Sequence, residues 1–300
     1  MAKRKKKSAG MKAEEIRDAV TKSIVESIES GNTLPWRKPW TGDPNCGLPT
    51  RLSNKHFYRG INTPVLYCVG LTKNYASKWW GTYKQISELG GNVKQGEKST
   101  LVVFYSMVPI TDKDTGEKKT IPLMRHFRVF NIDQTEGVKL DKFRVDPGFT
   151  VADPEWSRLD EIIDNKPVVI THSDVRRAYY KSGTNEIHMP NKSHFPVVAD
   201  YYTTKLHEFC HWCVNELEIE LEYGEEELVV ELAASLLCGE LNLPVGELEN
   251  HENYIASWLK NLGKDPKFVF TITRHAYKVM DFVREAEKET ENDESPRVAA

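Results

Sequence analysis

His207, Glu208 and His211 are the residues whose types and spacing could do chemistry: they form HEFCH, the pattern HExxH, inside a stretch of helical composition. Two histidines four positions apart on a helix lie about 40° apart around its axis, so both imidazoles can reach one ion. The glutamate beside the first histidine then sits next to the open coordination position. There it can accept a proton from a water whose pKa the ion has lowered toward neutrality, which makes Glu208 the candidate general base. The plainer alternative is two helical histidines making ordinary hydrogen bonds.

A catalytic zinc takes a third protein ligand and keeps a fourth position open. The next helical stretch, EEELVVELAASLLC, offers Glu225, Glu226, Glu227 and Glu231. Glu231 is flanked by Leu228, Val229, Val230, Leu232, Ala233 and Ala234, so it faces packed surroundings whichever way the helix turns. A carboxylate there is costly unless it is paired, hydrogen-bonded or near a cation. Glu227 lies one turn earlier on the same face. Either Glu227 or Glu231 is the third ligand, with the other holding a ligating histidine from behind. Glu225 and Glu226 read as first-turn acids favoured by the helix dipole. The implied cofactor is one divalent metal, zinc first and manganese as the alternative. Cys213 falls about 160° from the metal face, and both Cys210 and Cys213 read as small core residues. Tyr179, Tyr180, Tyr201 and Tyr202 are candidate oxyanion donors that only geometry can rank.

The elements that must position these groups belong to a chain of 300 residues, 39% hydrophobic and 28% charged. That composition excludes a disordered, collagen-like or fibrous chain. Five scattered cysteines make no disulfide framework, and no apolar run approaches the roughly 20 residues of a membrane span. The basic start, Lys3 to Lys7, lacks a following apolar segment, so the expected location is cytoplasmic with no membrane partner. The net charge of −3 conceals an asymmetry: residues 1–140 carry +11 and residues 141–300 carry −14. A basic module for a polyanion, joined to a module of different business, explains that split.

Apolar residues every fourth position (Ile16, Val20, Ile24, Ile28) predict a helix from about 12 to 30. Thr63-Pro64 predicts an N-cap with proline at the first helical position, and Thr82 with Gln85 predicts a capping box for a second helix, closed by Gly90-Gly91. Leu101–Val108 and Thr120–Ile132 predict a long β-hairpin. The loop over 141–156 has no period and two prolines, which places the boundary there. Beyond it, short strands are expected at 168–171, 178–180 and 185–189, then helices over 200–216, 225–242, 251–262 and 267–289. The fold class is therefore α+β. The expected division is a basic tail (1–11), a DNA-binding domain (12–142), a linker (143–155), a mostly helical metal-binding domain with a small sheet (156–289) and an unstructured tail (290–300).

Residues 55–128 interleave cations with rings, the combination that grips single-stranded nucleic acid: cations follow the backbone and rings stack on unpaired bases. The candidate contacts are Lys55, Tyr58, Arg59, Trp79, Lys84, Lys94, Lys98, Arg125 and Arg128. No basic recognition helix of a duplex reader is visible. Trp79 and Trp80 on one regular strand point to opposite sides and cannot both face inward. Core packing is the expectation for Trp80 and Phe127.

The stretches YRGINTPVL (58–66), WWGTYKQISELGGNVKQGEKSTLVVF (79–104) and FRVFNIDQTEG (127–137) resemble the N-terminal domain of the ArdC antirestriction family. AYYKSGTNEIHMP (178–190), YYTTKLHEFCHW (201–212), EELVVELAASLLC (226–238) and YIASWLKNLGKDPKFVF (254–270) resemble its metallopeptidase-like domain. The resemblance spans about residues 12 to 288 in the family's order. It implies an N-terminal single-stranded-DNA-binding domain and a C-terminal zincin-like domain, in proteins of plasmids and phages that help incoming DNA escape host restriction during transfer. It carries His207 and His211 over as metal ligands and Glu208 as general base. In zincins with a glutamate ligand the pattern E-x-x-x-[DE] makes the first acid the ligand, which favours Glu227 over Glu231. The chain departs from the family in having Val230 where alanine is more typical, and cysteines at 210 and 213 where small or hydroxyl residues are common.

The expected function is an antirestriction protein of a mobile element that binds single-stranded DNA and carries a metal-dependent peptidase, acting on a protein bound to or working on that DNA. The competing expectation is a non-catalytic DNA-coating protein with a structural or vestigial metal site. A weaker third is a peptidase whose basic half grips an acidic protein.

Overall fold

Apolar residues at every fourth position wind α1 (Ala13–Gly31) in the computed structural model, and Ile16, Val20, Ile24 and Ile28 are all buried. Residues 12–31, 47–111, 116–138, 156–241, 243, 258–263 and 265–293 are described. The expected basic tail, the linker at 143–155, the first part of the helix expected over 251–262 and the last residues of the terminal tail lie outside them.

After β1 (Thr50–Arg51) comes α2 (Asn62–Thr72). Its start differs from the expected Thr63 cap: Ile61 is the N-cap, already helical at φ −55° and ψ −22°, with no side-chain cap. The Thr63 hydroxyl instead bonds the Tyr58 carbonyl and the Tyr277 hydroxyl, each at 2.6 Å, because this end of the helix is buried against another element. Pro64 still falls in the first turn, where a backbone N–H has no intrahelical partner. β2 (Trp79–Gly81) leads into α3 (Tyr83–Glu88), which opens on the Thr82–Gln85 capping box and closes at Gly90 with φ +80°.

β3 (Asn92–Val93) pairs with β6 (Thr135–Glu136), while β4 (Thr100–Thr111) and β5 (Lys118–Asn131) form the long antiparallel hairpin. A four-stranded sheet runs in the order β1-β2-β5-β4. The Asn62 side chain caps the edge strand β4: its amide donates to the Val103 carbonyl and its carbonyl accepts from the Val103 N–H, both at 2.7 Å. Those backbone groups are thereby withheld from other strands.

Both Trp79 and Trp80 are buried, contrary to expectation. They do point to opposite sides of β2, but each side is covered. Trp79 packs with Leu52, Ile86 and Ile132, and Trp80 with Tyr58, Leu66, Val102 and Val129. Phe127, expected in the core, is exposed because β4 and β5 extend past the cover that buries Val102 and Val129.

In the second half, α4 (Trp156–Asp164) was not expected; Leu159, Ile162 and Ile163 form its buried face. β7 (Val169–Ser173), β8 (Tyr179–Lys181) and β9 (Glu186–Pro190) follow, in the sheet order β7-β9-β8. Then come α5 (Val198–Glu216), α6 (Tyr223–Glu240), the described part of α7 (258–262) and α8 (Phe268–Asp293). One apolar cluster joins α1 and α2 to α4, α5, α6 and α8, so the halves share a core.

Burial of Trp79 at 8% exposure makes a stability prediction. Trp79→Ala is expected to cost about 3–5 kcal/mol in chemical denaturation, the range for deleting a large buried aromatic. An unchanged midpoint would return Trp79 to the surface role read from the sequence.

Candidate metal centre

Leu206, Phe209, Cys210, Trp212 and Cys213 root α5 in the core, while His207, Glu208 and His211 lie toward α6. α6 is wrapped in apolar contacts from Leu228 onward, and the turn before that presents its acids. Donor atoms of His207, His211 and Glu227 all lie within 4.8 Å of one another. His207 Nε2 is 3.6 Å from Glu227 Oε2, and His211 Nε2 is 3.6 Å from Glu227 Oε1. Metal–ligand bonds of about 2.0–2.2 Å at tetrahedral angles put donors about 3.3–3.6 Å apart, so the trio fits a small divalent cation. Two imidazoles and one carboxylate are also the donor types such a cation takes. Glu231, the other candidate ligand, is 1% exposed one turn further along α6 and lies outside this group.

Glu226 does what the sequence reading assigned to the spare glutamate of the Glu227/Glu231 pair. Its Oε1 is 2.7 Å from His211 Nδ1, which fixes the ring and leaves Nε2 facing Glu227. Such outer partners set the tautomer and raise the basicity of a ligating histidine. The available signal was the run of three acids at 225–227, since consecutive helical positions about 100° apart cannot all face solvent. For His211, burial pushes the pKa down, but the hydrogen bond it donates to Glu226 and the charges of Glu227 and Glu208 outweigh it, and the net shift is upward.

Glu208 is buried beside the trio, and burial raises its carboxyl pKa against the lowering effect of both histidines. The backbone N–H of Tyr180 donates to it, which ties the base to β8, the edge of the three-stranded sheet. Three of the four tyrosine hydroxyls are already engaged: Tyr180 with Asn185, Tyr201 with His172 and Tyr202 with Asp160. Burial pushes the thiols of Cys210 and Cys213 up, so they stay protonated and apolar in character.

The DNA candidates are not all on the surface. Tyr58 and Trp79 are core residues, and Tyr58 is covered by Arg51 at 5.3 Å. Arg59 pairs with Asp281 and lies over the Tyr277 ring, so it joins the halves. Lys84 pairs with Glu88, and Lys94 donates to the Asp133 carbonyl. Lys55 is exposed at a left-handed turn position, φ +60°, and Lys98 is exposed with its carbonyl accepting from Gln134. Arg125 and Arg128 are exposed on opposite faces of β5.

Residues 14–130 match the family described as the N-terminal domain of anti-restriction factor ArdC, and residues 157–275 match the zincin-like metallopeptidase family MPTase-PolyVal. The metal-free crystal structure of the antirestriction ArdC protein from plasmid R388 is 35% identical, with a TM-score of 0.75 over 91% of this chain and 98% of that one. Its Mn(II)-bound structure is 34% identical, with a TM-score of 0.73 over 90% and 97%. A DNA primase TraC of Escherichia coli is 31% identical over 296 residues, 89% of this chain. The chain spans only 27% of that primase and 20% of a second TraC. The uncharacterized protein y4eC of Sinorhizobium fredii is 29% identical over 95% of its length.

The ligand assignment is testable by elemental analysis of variants purified identically. Glu227→Ala is expected to lose bound metal as His211→Ala does, while Glu231→Gln keeps it. Glu226→Gln is expected to retain the site but weaken affinity about 10–100-fold in competition with a chromogenic chelator. Full metal content in Glu227→Ala would remove Glu227 from the ligand set.

Proposed function

The chain belongs to the ArdC antirestriction family, and from that premise we propose that it is a single-stranded-DNA-binding antirestriction protein whose second half is a metal-dependent peptidase. The observation that carries the peptidase reading is the convergence of His207, His211 and Glu227 beside a buried Glu208. The two functional units are residues 12–142 and 156–289, working in the cytoplasm on DNA that arrives with a mobile element.

When bound, a divalent metal, zinc in this proposal, would supply Lewis acidity toward a peptide carbonyl and a water. His207, His211 and Glu227 would hold it, and Glu226 keeps His211 in register. Glu208 takes the proton from the attacking water and delivers it to the leaving amine. Its raised carboxyl pKa suits a group that must both accept and return a proton. The Tyr180 N–H holds that carboxylate in place. β8 offers a sheet edge along which an extended peptide can lie, bonded through its main chain. Binding to single-stranded DNA raises the local concentration of proteins on that DNA, which are the proposed substrates. The primase activity in the TraC name belongs to proteins of which this chain spans about a quarter or less, and it is not carried over.

Glu208→Gln separates catalysis from binding. The variant is expected to keep its metal and its affinity for an oligothymidylate, and to lose hydrolysis of an unfolded protein such as casein by about 10²–10⁴-fold. Unchanged proteolysis would end the general-base role. Unchanged protection of transferred DNA by a proteolytically dead variant would favour the DNA-coating reading instead.

A further inference from the structure

Five exposed large apolar side chains, Phe104, Tyr105, Met107, Ile110 and Phe127, crowd onto the β4–β5 hairpin. A patch of that kind is a binding surface or a liability. Its chemistry selects between occupants. Phe104 is directly opposite Arg125, and Val102 directly opposite Phe127, so Phe104, Arg125 and Phe127 share one face of the hairpin. Phe104 is 52% exposed and Phe127 46%, with ring centroids 6.3 Å apart at 76°. On the same face toward the base, Val102 and Val129 are buried with Tyr58, Leu66 and Trp80, so the rings stand on an anchored foundation.

The charge on the two strands has one sign. Thr100–Thr111 contains no charged residue, and Lys118–Asn131 contains Lys118, Lys119, Arg125 and Arg128 with no acid. Glu117 pairs with Lys119 at 2.9 Å near the turn, which leaves Arg125, beside the rings, as the cation that matters here. Exposed flat rings with a cation beside them and no anion on either strand match unpaired bases joined by phosphates. An apolar protein surface would match the rings but give the cations nothing to do.

We propose that Phe104 and Phe127 are a base-stacking platform for single-stranded nucleic acid, with Arg125 contacting the phosphate between stacked bases. The assignment rests on the reading of the N-terminal half as DNA-binding, and it replaces Tyr58 and Trp79, whose rings are buried, as the aromatic contacts. The hairpin is then the arm that distinguishes unpaired bases from duplex, because stacked pairs hide the faces these rings would cover.

The test is fluorescence anisotropy of the full chain with an oligothymidylate of about 20 nucleotides, an abasic strand of equal length and a duplex. Phe104→Leu/Phe127→Leu keeps apolar bulk but removes both π faces. The wild type is expected to prefer oligothymidylate over the abasic strand, and the double variant to lose about tenfold for oligothymidylate with little change for the abasic strand. Arg125→Gln is expected to weaken both strands and to lower the salt slope by about one. Circular dichroism and melting of both variants verify folding. If the wild type discriminates between strands and the folded double variant does so equally well, the platform is overturned while the DNA-binding reading stands. If the wild type binds none of the single strands, that reading falls and the platform with it. Sedimentation that shows the double variant dissociating a wild-type dimer, with strand discrimination retained, identifies the patch as a contact between copies and overturns the platform.

Discussion

Glu208, Glu226 and Glu227 converge on two imidazoles, the first carboxylate buried and the other two half-buried. A carboxylate taken out of water without a partner costs several kcal/mol, and neighbouring carboxylates repel one another. The fold meets this constraint in three ways. Glu226 is neutralised locally by the His211 Nδ1–H, Glu208 accepts a backbone N–H from β8, and Glu227 faces both remaining imidazole nitrogens. Two imidazoles and a carboxylate are a donor set that suits a divalent cation.

Holding those groups at fixed separation requires rigid helices, and the burial pattern supplies them. α5 turns Leu206, Phe209, Cys210 and Cys213 into the core, and α6 is buried on all sides over Leu228 to Leu237. Neither helix can slide to relieve repulsion without tearing apolar contacts. The rigidity reaches beyond the zincin-like half. Arg284 of α8 pairs with Glu240 at the end of α6 and with Asp281, and Asp281 pairs with Arg59. Tyr277 meets Thr63 at the start of α2. The start of α2 and the segment leading into it are thus bonded to α8, which is paired in turn with the end of α6, a contiguous connection between the halves.

Legibility in the sequence followed the range of the interaction. The HExxH spacing, the Thr82–Gln85 box, the hairpin and α1 were readable because each is set by residues within a turn or two of one another. What failed depended on distant partners. Trp79 looked like a surface ring because Leu52, Ile86 and Ile132, which cover it, come from three separate segments. Phe127 looked like core because the end of that cover along the hairpin is a tertiary fact. Thr63 looked like a cap, and its hydroxyl was claimed by Tyr277 more than two hundred residues away. Glu226 passed for a dipole-favoured acid because its partner, His211, lies on another helix.

The charge asymmetry acquires a spatial meaning from these contacts. Cations close to the shared core are consumed internally: Arg59 by Asp281, Arg51 by the face of Tyr58, Lys94 by the Asp133 carbonyl. Those on the hairpin, Arg125 and Arg128, remain exposed and have no acid on either strand. Under the proposed reading a polyanion would be drawn to the arm and repelled by the half with net −14. Screening limits both effects to about 8 Å at physiological salt. Acids gathered to hold a cation would be a poor place for a phosphate chain, whereas the two hairpin strands carry cations and no acid. The cationic strands and the carboxylate cluster thus belong to different segments of the chain, as the proposed division between a nucleic-acid ligand and a peptide substrate requires.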